Sequence, residues 1–332
     1  DAVLIVSPTY EGRIANVREI ASIVHERGIP LIVDEAHGAH LGMSKLIPDN
    51  SCRKSADIVI HSLHKTLPAM TQCAILHVNG QLVDRQRLRR YLSIYQTSSP
   101  SYILMASIDR ALTMMGQDGE RYFKDFLNRK NKLVRTLDEC KRIRIYKGDD
   151  SDPCKLVLST RGSVWTGKQL YDKLRLEHNI QMEMAAGDYL VAIITIMDNE
   201  DGFERLENAV LILDKILDEE MKNCGGNISK AQNSMTCNSK MQGFHDEVYL
   251  KDCPDEAQYS IAKASDMPYI AVSLEEAKNR ICADFVYVYP PGIPILVPGE
   301  RITEEHIRYF DVIRKHNLDL KGIIHNQIKV IQ

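Results

Sequence analysis

The sequence predicts an α/β fold, with a mostly parallel sheet and helices on both faces in its first part and smaller α+β C-terminal domains after it. Three observations carry this reading. Residues 2–33 read as strand, helix, strand; a third apolar strand follows at 57–61; and from Cys154 onward strands and helices alternate in shorter units. Right-handed crossovers between parallel strands bring the strand carboxyl ends to one edge, where ligands of such sheets bind.

Each element has its own signal. Ala2–Val6 is an apolar strand, and Gly12–Gly28 follows with Ile14, Val17, Ala21 and Val24 on one helical face and Gly28 as the stop. Pro30 opens the next strand, which ends at Asp34. Ile58-Val59-Ile60 is too short for a helix and is β-branched, as a buried strand should be. The loop after Lys65 is too short for a parallel crossover, so Cys73–Val78 should run antiparallel to its neighbour. Residues 81–95 are basic and helical in pattern, with Leu82, Leu88, Leu92 and Tyr95 expected on the core. Helices are predicted over Ile103–Met115 and, separately, over Gly119–Lys141. Next come strand 155–159, helix 166–178, strands 180–184 and 189–196, and helix 203–222. Residues 223–258 lack periodicity and read as a linker or mobile loop. Beyond it, Ser273–Ala283 is predicted as a helix with Leu274, Ala277 and Ile281 inward, then a strand-like segment at 285–298 and a last helix from Thr303. The resulting domains are 1–150, 151–222 and 259–332.

Composition narrows the partners. With 332 residues and a net charge of −3 spread along the chain, neither nucleic acid nor an anionic membrane is indicated. The longest apolar stretch, Tyr189–Met197, is well short of the roughly 20 residues a spanning helix needs. Eight cysteines without a Cys-x-x-Cys pair suit a reduced, soluble, cytoplasmic protein. His37 and His40 beside Asp34 hint at a metal, but no cysteine or further acid cluster completes a site, so no metal is expected. The chain opens on a strand with Asp1 rather than Met, so its start is expected to lie inside a longer protein, and targeting signals cannot be read.

The chemistry concentrates at Ser62-Leu63-His64-Lys65, just past a strand. A hydroxyl three residues before an amine suits a phosphate-bearing aldehyde: Ser62 can bond phosphate while Lys65 forms a Schiff base with the carbonyl. Read alone, such a lysine is more often a solvated turn residue, and Asp34 at a strand end is as readily a turn or capping aspartate.

The two strand exits do not stand alone. Ser-Pro-Thr-Tyr-Glu-Gly at 7–12, Asp-Glu-Ala-His-Gly-Ala-His at 34–40, His-Ser-Leu-His-Lys-Thr at 61–66, Thr-Ser-Ser-Pro-Ser-Tyr at 97–102 and Tyr-Pro-Pro-Gly-Ile-Pro-Ile-Leu-Val-Pro-Gly-Glu at 289–300 resemble, in order and spacing, the Orn/Lys/Arg decarboxylase family. The resemblance implies a fold-type-I large domain binding pyridoxal 5'-phosphate (PLP) on Lys65. Asp34 would partner the pyridine nitrogen, Ala36 would pack on a ring face and Ser62 would anchor phosphate. His37 would touch the ring substituents or substrate, unless it is simply a satisfied polar residue at a strand end. His64 would either manage protons at the cofactor or orient the phosphate or Lys65. Thr97 would reach a partner subunit's phosphate or cap the helix ahead of Pro100, and Glu300 would attract a cationic substrate tail or sit as a surface turn acid. The implied function is decarboxylation of a basic L-amino acid, with arginine preferred over lysine or ornithine, in a homodimer or higher oligomer. Transamination, or PLP binding without turnover, is the alternative. The family's first third, with its phosphate loop and ring-stacking histidine, has no counterpart here.

Overall fold

The computed structural model describes residues 1–146, 148, 150–228, 257–289, 292–315 and 318–332. The chain folds into two compact units: Asp1–Glu139 with Ile145–Val157 and Ala192–Asn208, and Cys140–Arg144 with Leu158–Val191 and Ala209–Gln332.

In the first unit, β1 (Val3–Val6), β2 (Leu31–Asp34), β3 (Ile58–Ser62) and β4 (Ala74–Val78) form one sheet in that order. The first three strands are parallel, with Val6 opposite Asp34 and Asp34 opposite Ile60; β4 is antiparallel to β3, with Ser62 opposite Ala74, as the short loop requires. Helix α1 (Val17–His25) makes the crossover from β1 to β2, capped by the Asn16 side chain, which accepts from Glu19 N. Val17, Ala21 and Val24 bury against Leu31, Val33 and Val59, the face its periodicity predicts, and Gly28 turns the chain at φ +65°. On the opposite face Leu4 and Val6 are 63% and 53% exposed. The short helix α2 (Leu63–Thr66) begins where β3 ends.

Two helical expectations are corrected. The segments expected as separate helices at 103–115 and 119–141 form one helix, Tyr102–Leu137, that buries Met115, Gly119, Phe123, Phe126 and Leu133 on one side. Gly116 and Gly119 mark no break. At Gly119 a Cβ would lie 2.8 Å from the Met43 carbonyl oxygen, so glycine permits a close backbone approach there. The helix Arg85–Tyr95 buries no residue. Leu88 and Leu92 are half-buried, while Leu82 and Tyr95 are 40% and 82% exposed, so this face does not pack on the core.

In the second unit, the helix Gly167–His178 starts with a capping box between Thr166 and Gln169 and faces the hairpin of Met184–Ala186 with Tyr189–Ile193. The following helix, Glu200–Ile228, is longer than predicted and passes from the first unit into the second after Asn208; of the expected linker at 223–258, residues 229–256 lie outside the described residues, while Ala257 bridges to Glu300. Near the C-terminus, Tyr269–Ser273 pairs antiparallel with Gln327–Ile331, and Val286–Val288 pairs with Ile293–Leu296. The helix Glu304–Lys315 buries Phe310 and Ile313. The helix expected over Ser273–Ala283 is not formed. Leu274 and Ala277 are buried as expected, but Asn279 adopts φ +67° and Cys282 bridges to Val330, so strand pairing competes successfully with helix there. Pro290 and Pro291 of the proline-rich motif lie outside the described residues.

Candidate active site

Parallel register places the exits of β2 and β3 side by side, with Asp34 ending one and Ser62 the other. After Asp34 the chain turns sharply. Ala36 N donates to Asp34 Oδ1 at 3.0 Å, and the turn carries His37 back over the sheet edge. His37 Nε2 then lies 3.1 Å from Lys65 Nζ. The histidine that follows β2 and the lysine that follows β3 are in direct contact.

His37 is held on its other sides by residues distant in sequence. Lys155 Nζ, from the first residue of the strand Lys155–Ser159, is 2.8 Å from His37 Nδ1. The Tyr10 ring packs against the imidazole with centroids 4.8 Å apart, and Lys155 Nζ sits 5.3 Å from the Tyr10 ring centre. Burial, then the Lys155 and Lys65 ammonium charges, push the His37 pKa down to about 3. At neutral pH this imidazole is uncharged, with one N–H and one lone pair to offer.

Beneath it, His40 and Asp152 form a fully buried ion pair at 2.7 Å. Burial opposes the charge on His40, but the Asp152 carboxylate and Cys154 overcome it and hold His40 well above the ordinary histidine value. Burial likewise opposes the charge on Asp152, and His40 more than offsets it, lowering Asp152. Asp152 Oδ1 also accepts from Cys154 N at 2.8 Å, and Asp152 N donates to the Gly12 carbonyl at 2.7 Å. These bonds fix the turn that leads into Lys155. A Cβ on Gly12, which has φ +97°, would come within 2.6 Å of Lys155 Cβ. The donor atoms of His40, Asp152 and Cys154 lie within 4.8 Å of one another. This corrects the expectation that no cysteine or further acid joins these histidines: Asp152 and Cys154 reach His40 from more than a hundred residues along the chain, and the His40–Asp152 contact has the length of a hydrogen-bonded ion pair. A second buried network, Glu35 with Ser51 and His61 and on to His77, ties β2 to β3 and β4 from inside.

His64 Nδ1 lies 3.1 Å from the Cys73 carbonyl, a contact in which the ring must donate; this leaves Nε2 as the acceptor of the neutral imidazole. Ser62 occupies the cap position of α2 but makes no capping bond, so its hydroxyl is not spent on the helix. Thr97 is exposed and its hydroxyl accepts from Ser99 N at 3.3 Å within its own turn. The capping role ahead of Tyr102 falls to Ser101, whose hydroxyl accepts from Leu104 N. Glu300 belongs to the second unit, where its carboxylate accepts from Val297 N at 2.8 Å. Sequence reasoning missed Lys155 and gave Tyr10 no role. Tyr10 lay inside the Ser7–Gly12 motif, and the one signal for Lys155 was a lysine opening an otherwise apolar strand.

A profile of the Orn/Lys/Arg decarboxylase major domain matches residues 1–219, and a profile of the family's C-terminal domain matches residues 240–327. The chain belongs to the Orn/Lys/Arg decarboxylase family. It is 30% identical over 314 residues to an arginine decarboxylase of Bacillus subtilis (strain 168), covering 92% of this chain and 60% of that protein. It is 34% identical over 313 residues to the uncharacterized protein YaaO of the same organism, with the same two coverages. The fold matches that of lysine decarboxylase A from Pseudomonas aeruginosa with a TM-score of 0.76 at 19% identity, over 99% of this chain and 57% of that one. The chain thus spans about 60% of the length of these curated relatives.

The residues at the sheet edge fit the PLP that this family and fold imply. Asp34 has one carboxylate oxygen bonded to Ala36 N, and among the described residues no donor reaches the other, which leaves it for a protonated pyridine nitrogen. A primary amine, an unspent hydroxyl and a small residue at position 36 complete the set that a phosphate-bearing aldehyde requires.

Proposed function

We propose that the protein catalyses PLP-dependent decarboxylation of a basic L-amino acid, with arginine preferred over lysine and ornithine, giving the amine and CO2. The observation that carries this reading is the contact between Lys65 and an uncharged, buried His37 next to Asp34. Bound PLP would supply the electron sink that lets a Cα bond break. Lys65 is the amine that would hold the cofactor. The Asp34 carboxylate would keep the pyridine nitrogen protonated, and Ser62 would anchor the phosphate. Ala36 leaves room for a ring face. Tyr10 packs on His37, and neutral His37 can hold or pass a proton at Nε2 beside the amine. His64, turned by its bond to the Cys73 carbonyl, presents Nε2 as an acceptor.

Support for arginine over lysine is the likeness to an arginine decarboxylase at 30% identity. Glu300 is the acid we assign to the cationic tail of the substrate, from its place at the end of the 289–300 motif. We assign the protein to the cytoplasm, and no helix among the described residues is long and apolar enough to cross a membrane. The working unit is a homodimer or higher oligomer in which the Thr97 turn serves the partner's site. Tyr91, Ile94, Tyr95, Tyr102 and Ile103 around that turn are exposed apolar surface for a second copy to cover.

The test is labelled-CO2 release from arginine, lysine and ornithine by the natural protein loaded with PLP, for wild type and Glu300→Gln. Glutamine keeps an acceptor for Val297 N, so the turn should persist. Loss of a charged hydrogen bond worth about 1.5–3 kcal/mol should raise KM for the preferred substrate roughly ten- to a hundredfold. Keto-acid formation in place of CO2 would move the reading to transamination, and PLP binding with neither product would move it to a binding protein.

A further inference from the structure

Lys155 carries its positive charge into the protein, at 5% exposure, and lies 2.8 Å from His37 Nδ1. A desolvated ammonium interacts with its surroundings far more strongly than one in water. Part of those surroundings is an aromatic face: Lys155 Nζ lies over the Tyr10 ring, 5.3 Å from its centre, inside the roughly 6 Å within which a cation is drawn to the ring quadrupole. The same ring packs on the His37 imidazole, with centroids 4.8 Å apart and planes tilted by 55°. Tyr10 therefore meets both members of the Lys155–His37 contact, and His37 in turn meets Lys65 at 3.1 Å.

The main chain keeps these side chains together. The turn that carries Tyr10 is closed by Gly12 N donating to the Thr9 carbonyl at 2.9 Å and by Thr9 N donating to the Arg13 carbonyl at 2.8 Å. It is tied to the turn ahead of Lys155 by Asp152 N donating to the Gly12 carbonyl at 2.7 Å, by Ile14 N donating to the Asp150 carbonyl at 2.8 Å and by the Arg13–Asp150 ion pair. The close approach of Gly12 to Lys155, where a Cβ would lie 2.6 Å from Lys155 Cβ, sets ring and amine on adjoining backbone.

We propose that Tyr10 is a positioning residue: its ring face holds the Lys155 ammonium and packs the His37 imidazole, so that His37 stays in place beside Lys65. Tyr10 acts through Lys155 and His37 rather than on a substrate. The effect on turnover rests on the proposed function; the hold on Lys155 does not, and it is read on the protein without cofactor or substrate.

The experiment changes the ring in steps. Tyr10→Phe is the parent, free of the phenol and its ionisation, and mono-, di- and trifluorinated phenylalanine at the same position draw electrons from the face with little change of shape. The Lys155 ε-carbon shift is followed against pH by carbon-13 NMR of the lysine-labelled full chain, assigned by its loss in Lys155→Arg. Asp152, His37 and Lys130, whose ammonium donates to the Lys155 carbonyl, are the same in every member, so only the ring face varies. An ammonium held by the ring gives up its proton at higher pH, so the Lys155 midpoint should fall with each fluorine, by about 0.4–1.5 pH units over the series. With PLP loaded on the natural protein, kcat for CO2 release should fall in the same order. A midpoint that stays put across the series overturns the inference, as does a Tyr10→Leu midpoint equal to that of Tyr10→Phe if the fluorinated chains do not fold; a kcat that ignores a graded midpoint overturns the positioning role. A graded midpoint in a protein that releases no CO2 would uphold the hold on Lys155 and overturn the proposed function alone.

Discussion

At the scale of single residues, the cost of keeping His37 uncharged should be visible in stability. Unfolded, the imidazole takes up a proton near the ordinary value of about 6.5; folded, it resists until about pH 3. Between those values the unfolded state binds the extra proton, so stability falls as pH drops through that window. Wild type should lose more stability between pH 7 and pH 4.5 than His37→Asn does, measured by denaturant midpoints at each pH; the carboxylates common to both chains cancel in the comparison. Equal losses would mean that His37 is not held neutral. The placement of Asp34, Ser62, His64 and Lys65 could be read from the sequence because each lies within a few residues of a strand exit. Lys155 could not, because its role depends on a contact across 118 positions that no local pattern encodes.

At the scale of elements, the long helix Tyr102–Leu137 carries a paired prediction. Glycine in a helix interior costs about 0.5–1 kcal/mol relative to alanine, and Gly116 is exposed with open space where a Cβ would go. Gly116→Ala should raise stability by about that amount. Gly119→Ala should instead lower it by about 1–3 kcal/mol, because the new Cβ meets the Met43 carbonyl at 2.8 Å. Thermal unfolding of the two variants should move in opposite directions, and two stabilising substitutions would show that the approach at Gly119 is loose. The same pair explains a boundary that was not legible: two glycines three residues apart resemble a break, and only the neighbouring backbone reveals why one of them is needed. The sheet was more legible. Short β-branched runs and loop lengths fix parallel or antiparallel pairing by geometry, and β1 to β4 follow it. The exposed helix Arg85–Tyr95 was misjudged for the converse reason, since an apolar stripe specifies burial without specifying against what.

At the scale of the whole molecule, we propose divisions near residues 150, 222 and 258; the family profiles match 1–219 as one major domain and 240–327 as the C-terminal domain. Oligomeric function gives a further prediction. Mixing Lys65→Ala chains with chains disabled at Thr97–Ser99 should restore part of the activity, because one hybrid site then holds both intact elements; no recovery after proven subunit exchange would mean that each site is built within one chain. All of these readings depend on which amine carries the cofactor. The most direct test is borohydride reduction of the PLP-loaded protein followed by peptide mass mapping. One pyridoxyl adduct is expected, on Lys65 and absent from Lys65→Ala; an adduct on Lys155 or any other lysine, with Lys65 unmodified, would mean that another amine holds the cofactor.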